Sequence, residues 1–160
     1  MTQANDTPPT LARWMGGEAM LRGLTERFYA KVPDDAVLAP VFAGMNPDHA
    51  NLVASFIYEV FGGEPTYTGQ GGSHAGMIGR HVGRHLTELQ RKRWVNLMLE
   101  TADEVGVPDD PEFRAALVSY FEWGTRLAVL NSREDAVELE RSAPMPVWDW
   151  SPAGGPWTGP

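Results

Sequence analysis

The sequence predicts an all-α fold built on four substantial helices. Three observations carry that reading. Apolar positions recur at three- and four-residue spacing through most of the chain, start and stop residues bracket those stretches, and strand signals are short and weak. In the first helix Met20, Leu21, Leu24, Phe28 and Val32 share one face, and Pro33-Asp34-Asp35 closes it. Asn46-Pro47 places a cap residue before a proline suited to the first helical position. From there Leu52, Val53, Phe56, Ile57, Val60 and Phe61 form a second stripe, ended by Gly62-Gly63. Thr87-x-x-Gln90 reads as a capping box opening a helix with Leu89, Trp94, Leu97, Met98 and Val105, which stops at Gly106. Asp110-Pro111 opens the last helix, with Phe113, Leu117, Tyr120, Phe121, Gly124 and Leu127. Between Gly62 and His85 the chain reads as a long loop broken by Gly69, Gly71, Gly72, Gly76 and Gly79, and a loop of that length either has a function or conceals a misassigned element.

The 160 residues suit one domain, and 42% hydrophobic with 21% charged residues is enough for a core. The expected organisation is a flexible N-terminal segment over 1–11, a helical domain over 12–131, and a tail over 132–160 rich in proline, glycine and tryptophan. Trp148, Trp150 and Trp157 in that tail have two readings: a segment folded back over an apolar groove, or a docking segment for a partner. Trp14 and Trp123 read as packing residues.

Thirteen basic against 21 acidic residues give a net charge of −8, which argues against nucleic acid as a partner. Arg91-Lys92-Arg93 is the one basic run and reads as a solvated helix face. The absence of cysteine rules out disulfides, thiolate metal sites and covalent C-x-x-C-H haem attachment. No signal-peptide pattern opens the sequence and no apolar stretch nears the ~20 residues of a membrane span, so a cytoplasmic location with no membrane partner is expected.

The ligand candidates are His49, His74, His81 and His85. His81 and His85 are four apart and would share a face on a helix, a spacing that suits zinc. A third ligand is not apparent, and Arg80 and Arg84 would repel a dication. Haem fits these neighbours better, because one neutral imidazole holds the iron and arginines pair with the propionates. Phe28, Phe42, Val53, Phe56, Leu97 and Met98 are candidates to line the apolar slot it needs. Each is equally readable as plain core.

A set of motifs adds to this. Arg27-Phe28-Tyr29, Pro40-Val41-Phe42, Phe56, Phe61-Gly62-Gly63 with Pro65 and Tyr67-Thr68, then Gly72 to His81 with Met77 and Arg80, and Arg93-Trp94 follow one another in order. A histidine followed by a tryptophan thirteen residues later is the most specific part. Over roughly residues 12 to 131 the chain resembles the truncated haemoglobins, specifically their second group.

The resemblance implies a truncated globin fold, a two-over-two helical sandwich around haem b. It puts His81 at the iron, Tyr29 and Trp94 at the distal, ligand-handling positions, and Phe42 against the porphyrin. His49 and Val53 fall on the distal helix, Arg80 at a propionate, and Phe56, Met77 and Met98 along the pocket. His74 and His85 remain structural or exposed in this reading. The implied function is reversible binding of oxygen, carbon monoxide and nitric oxide with slow oxygen release, extending to nitric oxide or peroxide detoxification. That chemistry needs a separate reductase, since nothing in the chain resembles a flavin or nicotinamide domain. A homodimer is the assembly considered. The competing reading is a non-catalytic helical interaction module acting through the Trp-rich tail.

Overall fold

The computed structural model describes residues 7–135 and 143–150; the expectations for residues 1–6 and 136–142 and for Trp157 lie outside them. Among the described residues every regular element is helical: α1 (Leu11–Trp14), α2 (Gly17–Lys31), α3 (His49–Val60), α4 (His74–Gly79), α5 (Glu88–Val105) and α6 (Pro111–Asn131). No helix among them is long and apolar enough to cross a membrane.

The ends of the long helices follow from their cap residues. Thr87 accepts from the Gln90 N–H while the Gln90 side chain accepts from the Thr87 N–H, so the capping box closes both ways and starts α5. Gly106, at φ 81°, ends it in the left-handed conformation that a side chain disfavours. Asp110 uses one carboxylate oxygen to cap α6 at the Phe113 N–H, and the other to accept from the Trp14 indole at 2.8 Å. One acid thereby starts a helix and ties it to α1.

Two expectations about boundaries change. α3 begins at His49, two residues beyond Pro47, because Asn46 spends its side chain on the Asp48 N–H in a local turn. The stretch expected as loop contains a helix, α4, capped by the Ser73 hydroxyl on the Gly76 N–H. Gly76 and Gly79 lie inside it and disguise it, since glycine is a poor helix former. The segment leading into α4 is held by Glu59, whose carboxylate accepts from the Thr68 N–H and hydroxyl. At Gly72 a Cβ would stand 2.6 Å from the Tyr67 ring, so only glycine lets the chain pass.

α2 lies at the centre, packed on α3 and on α5, and α5 packs on α6. Phe28, Phe61, Phe113 and Phe121 are the largest fully buried side chains. Burying each contributes roughly 1.5–3 kcal/mol. Leu11 is buried and opens α1, with the Ala12 N–H on the Phe61 carbonyl. Residues 143–150 return to this core: the Trp148 N–H donates to the Val60 carbonyl, and Trp150, 5% exposed, stacks edge-on against Trp14 and donates to the Pro9 carbonyl.

One polar contact orients the loop after α2. Asp35 accepts from the Val37 and Leu38 N–H groups with one oxygen and from Arg93 of α5 with the other at 2.6 Å. Burial alone would raise this acid, but the hydrogen bonds from Arg93, Leu38 and Val37 outweigh it and hold the carboxyl below its usual range.

Two outcomes are expected. Trp150→Ala should lower unfolding stability by about 3 kcal/mol in denaturant titration; an unchanged midpoint would show that the returning segment adds nothing. A depressed native pKa makes Asp35 stabilising above its unfolded value near ~3.9 and progressively less so as pH falls through the native one. Asp35→Asn should therefore flatten the loss of stability below about pH 4, read as thermal midpoints across pH.

Candidate functional site

Between α3, α4, α5, α6 and the turn after α2 lies a cavity of about 410 Å3. Its wall comes from Tyr29 of α2, Phe42 of the following turn, His49, Val53 and Phe56 of α3, Met77 of α4, Arg80 and His81 just beyond it, and Trp94 of α5. Nine of the ten residues expected at the site are thus brought together. Met98 is the exception and a correction: it is fully buried in the core and does not line the cavity. Trp94, one turn earlier on the same face, holds the wall at that point, with its ring against Phe28 and Phe121.

The polar groups fall into two sets. On α2, α3 and α5, Tyr29 and His49 stand edge-to-face with 3.1 Å between the phenol oxygen and Nε2. The Tyr29 phenol is wholly buried, which pushes its pKa up, and a hydrogen bond from the Trp94 indole pulls the other way. Indole N–H only donates, so the phenol oxygen accepts there and the phenol hydrogen is left for another partner. Burial pushes His49 down to about 4, with the charges of Arg80, His81 and Arg84 adding to the effect, so its ring is neutral near pH 7. Phe42 completes the group 5.3 Å from the Tyr29 ring.

The second set follows α4. Burial lowers the pKa of His81, and a hydrogen bond to the Met77 carbonyl opposes that shift. This bond fixes the hydrogen on one ring nitrogen and leaves the other as a lone pair. Arg80 and Arg84 flank it on the cavity wall. The shared helical face imagined for His81 and His85 does not arise, because α4 ends at Gly79 and α5 starts at Glu88. His85 adopts φ 49°, lies largely exposed and meets Glu134 at 3.4 Å.

His74 also lines the cavity, which the sequence reading did not expect. The signal was present: 74, 77, 78 and 81 follow the three-and-four spacing of one helix face. The α6 wall includes Phe121 and Gly124, read from sequence only as part of a helical stripe, and Ala128, which the sequence did not single out.

These residues suit a flat, apolar, iron-containing ligand with acidic edges. Phe42, Val53, Phe56, Met77 and Ile78 offer apolar faces, and the His81 imidazole offers a ring nitrogen with two guanidiniums beside it. Without an occupant, side chains along a cavity this large would forfeit dispersion contacts.

Comparison with known proteins agrees. The family model described as bacterial-like globin matches residues 10–124. The chain is 30% identical over 91 residues to the group 2 truncated hemoglobin YjbI of Bacillus subtilis, covering 57% of this chain and 68% of that protein. It is also similar to the solved hemoglobin of Chloroflexus aurantiacus, at 30% identity and a TM-score of 0.66, covering 75% of this chain and 97% of that one. The solved truncated oxygen-avid haemoglobin of Bacillus subtilis matches at 26% identity and a TM-score of 0.66, covering 76% and 99%.

The His49 placement has a direct check. In the apoprotein its ring should titrate near 4 by NMR; a value at the ordinary 6.5 would mean the ring is turned out to solvent.

Proposed function

The chain belongs to the bacterial-like globins and, among them, to the group II truncated haemoglobins, with their two-over-two helical sandwich; from that premise we propose that its cavity holds haem b with His81 as the iron ligand, and that Tyr29 and Trp94 retain diatomic gases. That it is a haem-binding globin follows from the family itself. The assignment to haem b rests on the absence of any cysteine for thioether attachment. The observation that carries the residue roles is the shared cavity, with His81 beside Arg80 and Arg84 on its wall together with Trp94 and the Tyr29–His49 pair.

Bound haem supplies an iron that takes a diatomic gas and moves negative charge onto it. The protein's own contribution is to position donors for that charge in a site with little water. Trp94 and Tyr29 each bring one donor to this cavity, an indole N–H and a phenol O–H. A gas in the cavity competes with His49 Nε2 for the phenol hydrogen. Phe42 has no donor and serves as an apolar wall, while Arg80 and Arg84 take the acidic edge. Oxygen retention is the expected behaviour, in keeping with the oxygen-avid description of the Bacillus subtilis relative. Nitric oxide or peroxide detoxification would use the same donors with electrons from a separate reductase. The interaction-module reading is weaker because Trp148 and Trp150 are engaged in packing on this chain's own core.

Absorption spectra of the hemin-loaded protein test this. The expected result is a strong Soret band that shifts when carbon monoxide is added to the reduced form, and that is lost or badly altered in His81→Ala. A protein that stays colourless after being offered hemin overturns the reading. Tyr29→Phe and Trp94→Phe should each speed oxygen release by about tenfold or more, the size of a lost charge-assisted hydrogen bond; stopped-flow rates equal to wild type would remove both from ligand retention.

A further inference from the structure

We propose that His74 is a further cofactor contact, donating a hydrogen bond from Nε2 to a porphyrin carboxylate; the inference rests on the haem reading above. His74 opens α4, and its ring stacks on Phe56 with centroids 6.4 Å apart and planes 19° from parallel. His74, Met77, Ile78 and His81 all line the cavity, so this imidazole shares a wall with the one assigned to the iron.

Its Nδ1 is sealed from solvent and has no hydrogen-bond partner. A buried N–H without an acceptor is rarer in proteins than an under-used acceptor, so the hydrogen of the neutral ring belongs on Nε2. Burial lowers the pKa of this histidine, which keeps the ring neutral. Nε2 is then the ring's remaining polar atom, and it is a donor. Leucine or phenylalanine would pack against Phe56 without leaving a polar atom unsatisfied, so the imidazole has no advantage at this wall unless a ligand uses it. The chemistry nearby names that ligand. Arg80 and Arg84 line the same cavity and make an anionic oxygen the fitting acceptor. In the occupant proposed for this site, the anionic oxygens are the propionate carboxylates.

The experiment measures haem loss from the full-length protein by transfer to excess apomyoglobin. It compares hemin with hemin dimethyl ester, whose carboxylates are blocked. His74→Phe keeps the stacking ring and lacks the donor, His74→Leu is a second donor-free variant, and His74→Gln keeps an N–H near Nε2. With hemin, His74→Phe and His74→Leu should lose the cofactor about tenfold faster than wild type, while His74→Gln stays within about threefold. With the ester the difference between wild type and His74→Phe should vanish. The reduced carbon monoxide spectrum should be the same in all four proteins.

Equal hemin loss from wild type and both donor-free variants overturns the proposal. So does a difference that survives with the ester, or a Soret shift that makes His74 an iron ligand. Hemin uptake by the wild type is measured first. A wild type that takes up no hemin overturns the haem reading itself, and is thereby told apart from failure of the His74 contact alone.

Discussion

Around a cavity of about 410 Å3 the helices of this protein meet without closing, and most of the architecture follows from that gap. Interiors pack at crystal-like density, and a wall facing nothing loses its dispersion contacts. The wall has therefore to be matched to an occupant, and its chemistry specifies one. Apolar faces from α3 and α4 provide the area. The His81 imidazole on that wall, kept neutral by burial, provides a nitrogen lone pair. The guanidiniums of Arg80 and Arg84 favour acidic edges on whatever lies there. In the proposed reading, haem would supply the missing part of this core.

Polar contacts between the helices hold this frame in register. Arg93 reaches from α5 to Asp35, and Asp35 in turn gathers the Val37 and Leu38 N–H groups. The turn carrying Phe42 is thereby set against the helix carrying Trp94. Arg91 is almost fully buried between Glu88 and Glu122 and joins the start of α5 to α6. The basic run 91–93, read from sequence as a solvated face, thus divides: Arg91 and Arg93 are structural clamps and Lys92 is exposed. Composition could not separate them, because Glu122 and Asp35, which draw Arg91 and Arg93 inward, are distant in sequence.

The four long helices were legible because their signals are local. The Thr87–Gln90 box, Gly106 and Asp110-Pro111 each act within a few residues of where they stand. α4 was hidden because Gly76 and Gly79 contradict helix propensity, and its existence depends on the Ser73 cap and on the loop pinned by Glu59. Nine of the ten residues singled out through the order of motifs line one cavity. Met98 was misplaced because a helical stripe defines a face and not a depth. His74 went unrecognised as a wall residue for the same reason that α4 did. The pairing of His49 with Tyr29 needed coordinates, since the two residues lie on different helices.

The most direct test of the account is whether His81 would itself hold the iron and not merely shape the cavity. Resonance Raman spectra of the reduced, hemin-loaded protein would be compared for wild type, His81→Gly, and His81→Gly with added imidazole. The account predicts an iron–histidine stretching band in the wild type, its loss in His81→Gly, and a restored iron–imidazole band when free imidazole fills the space. A band that survives in His81→Gly would assign the iron to another side chain and contradict the account.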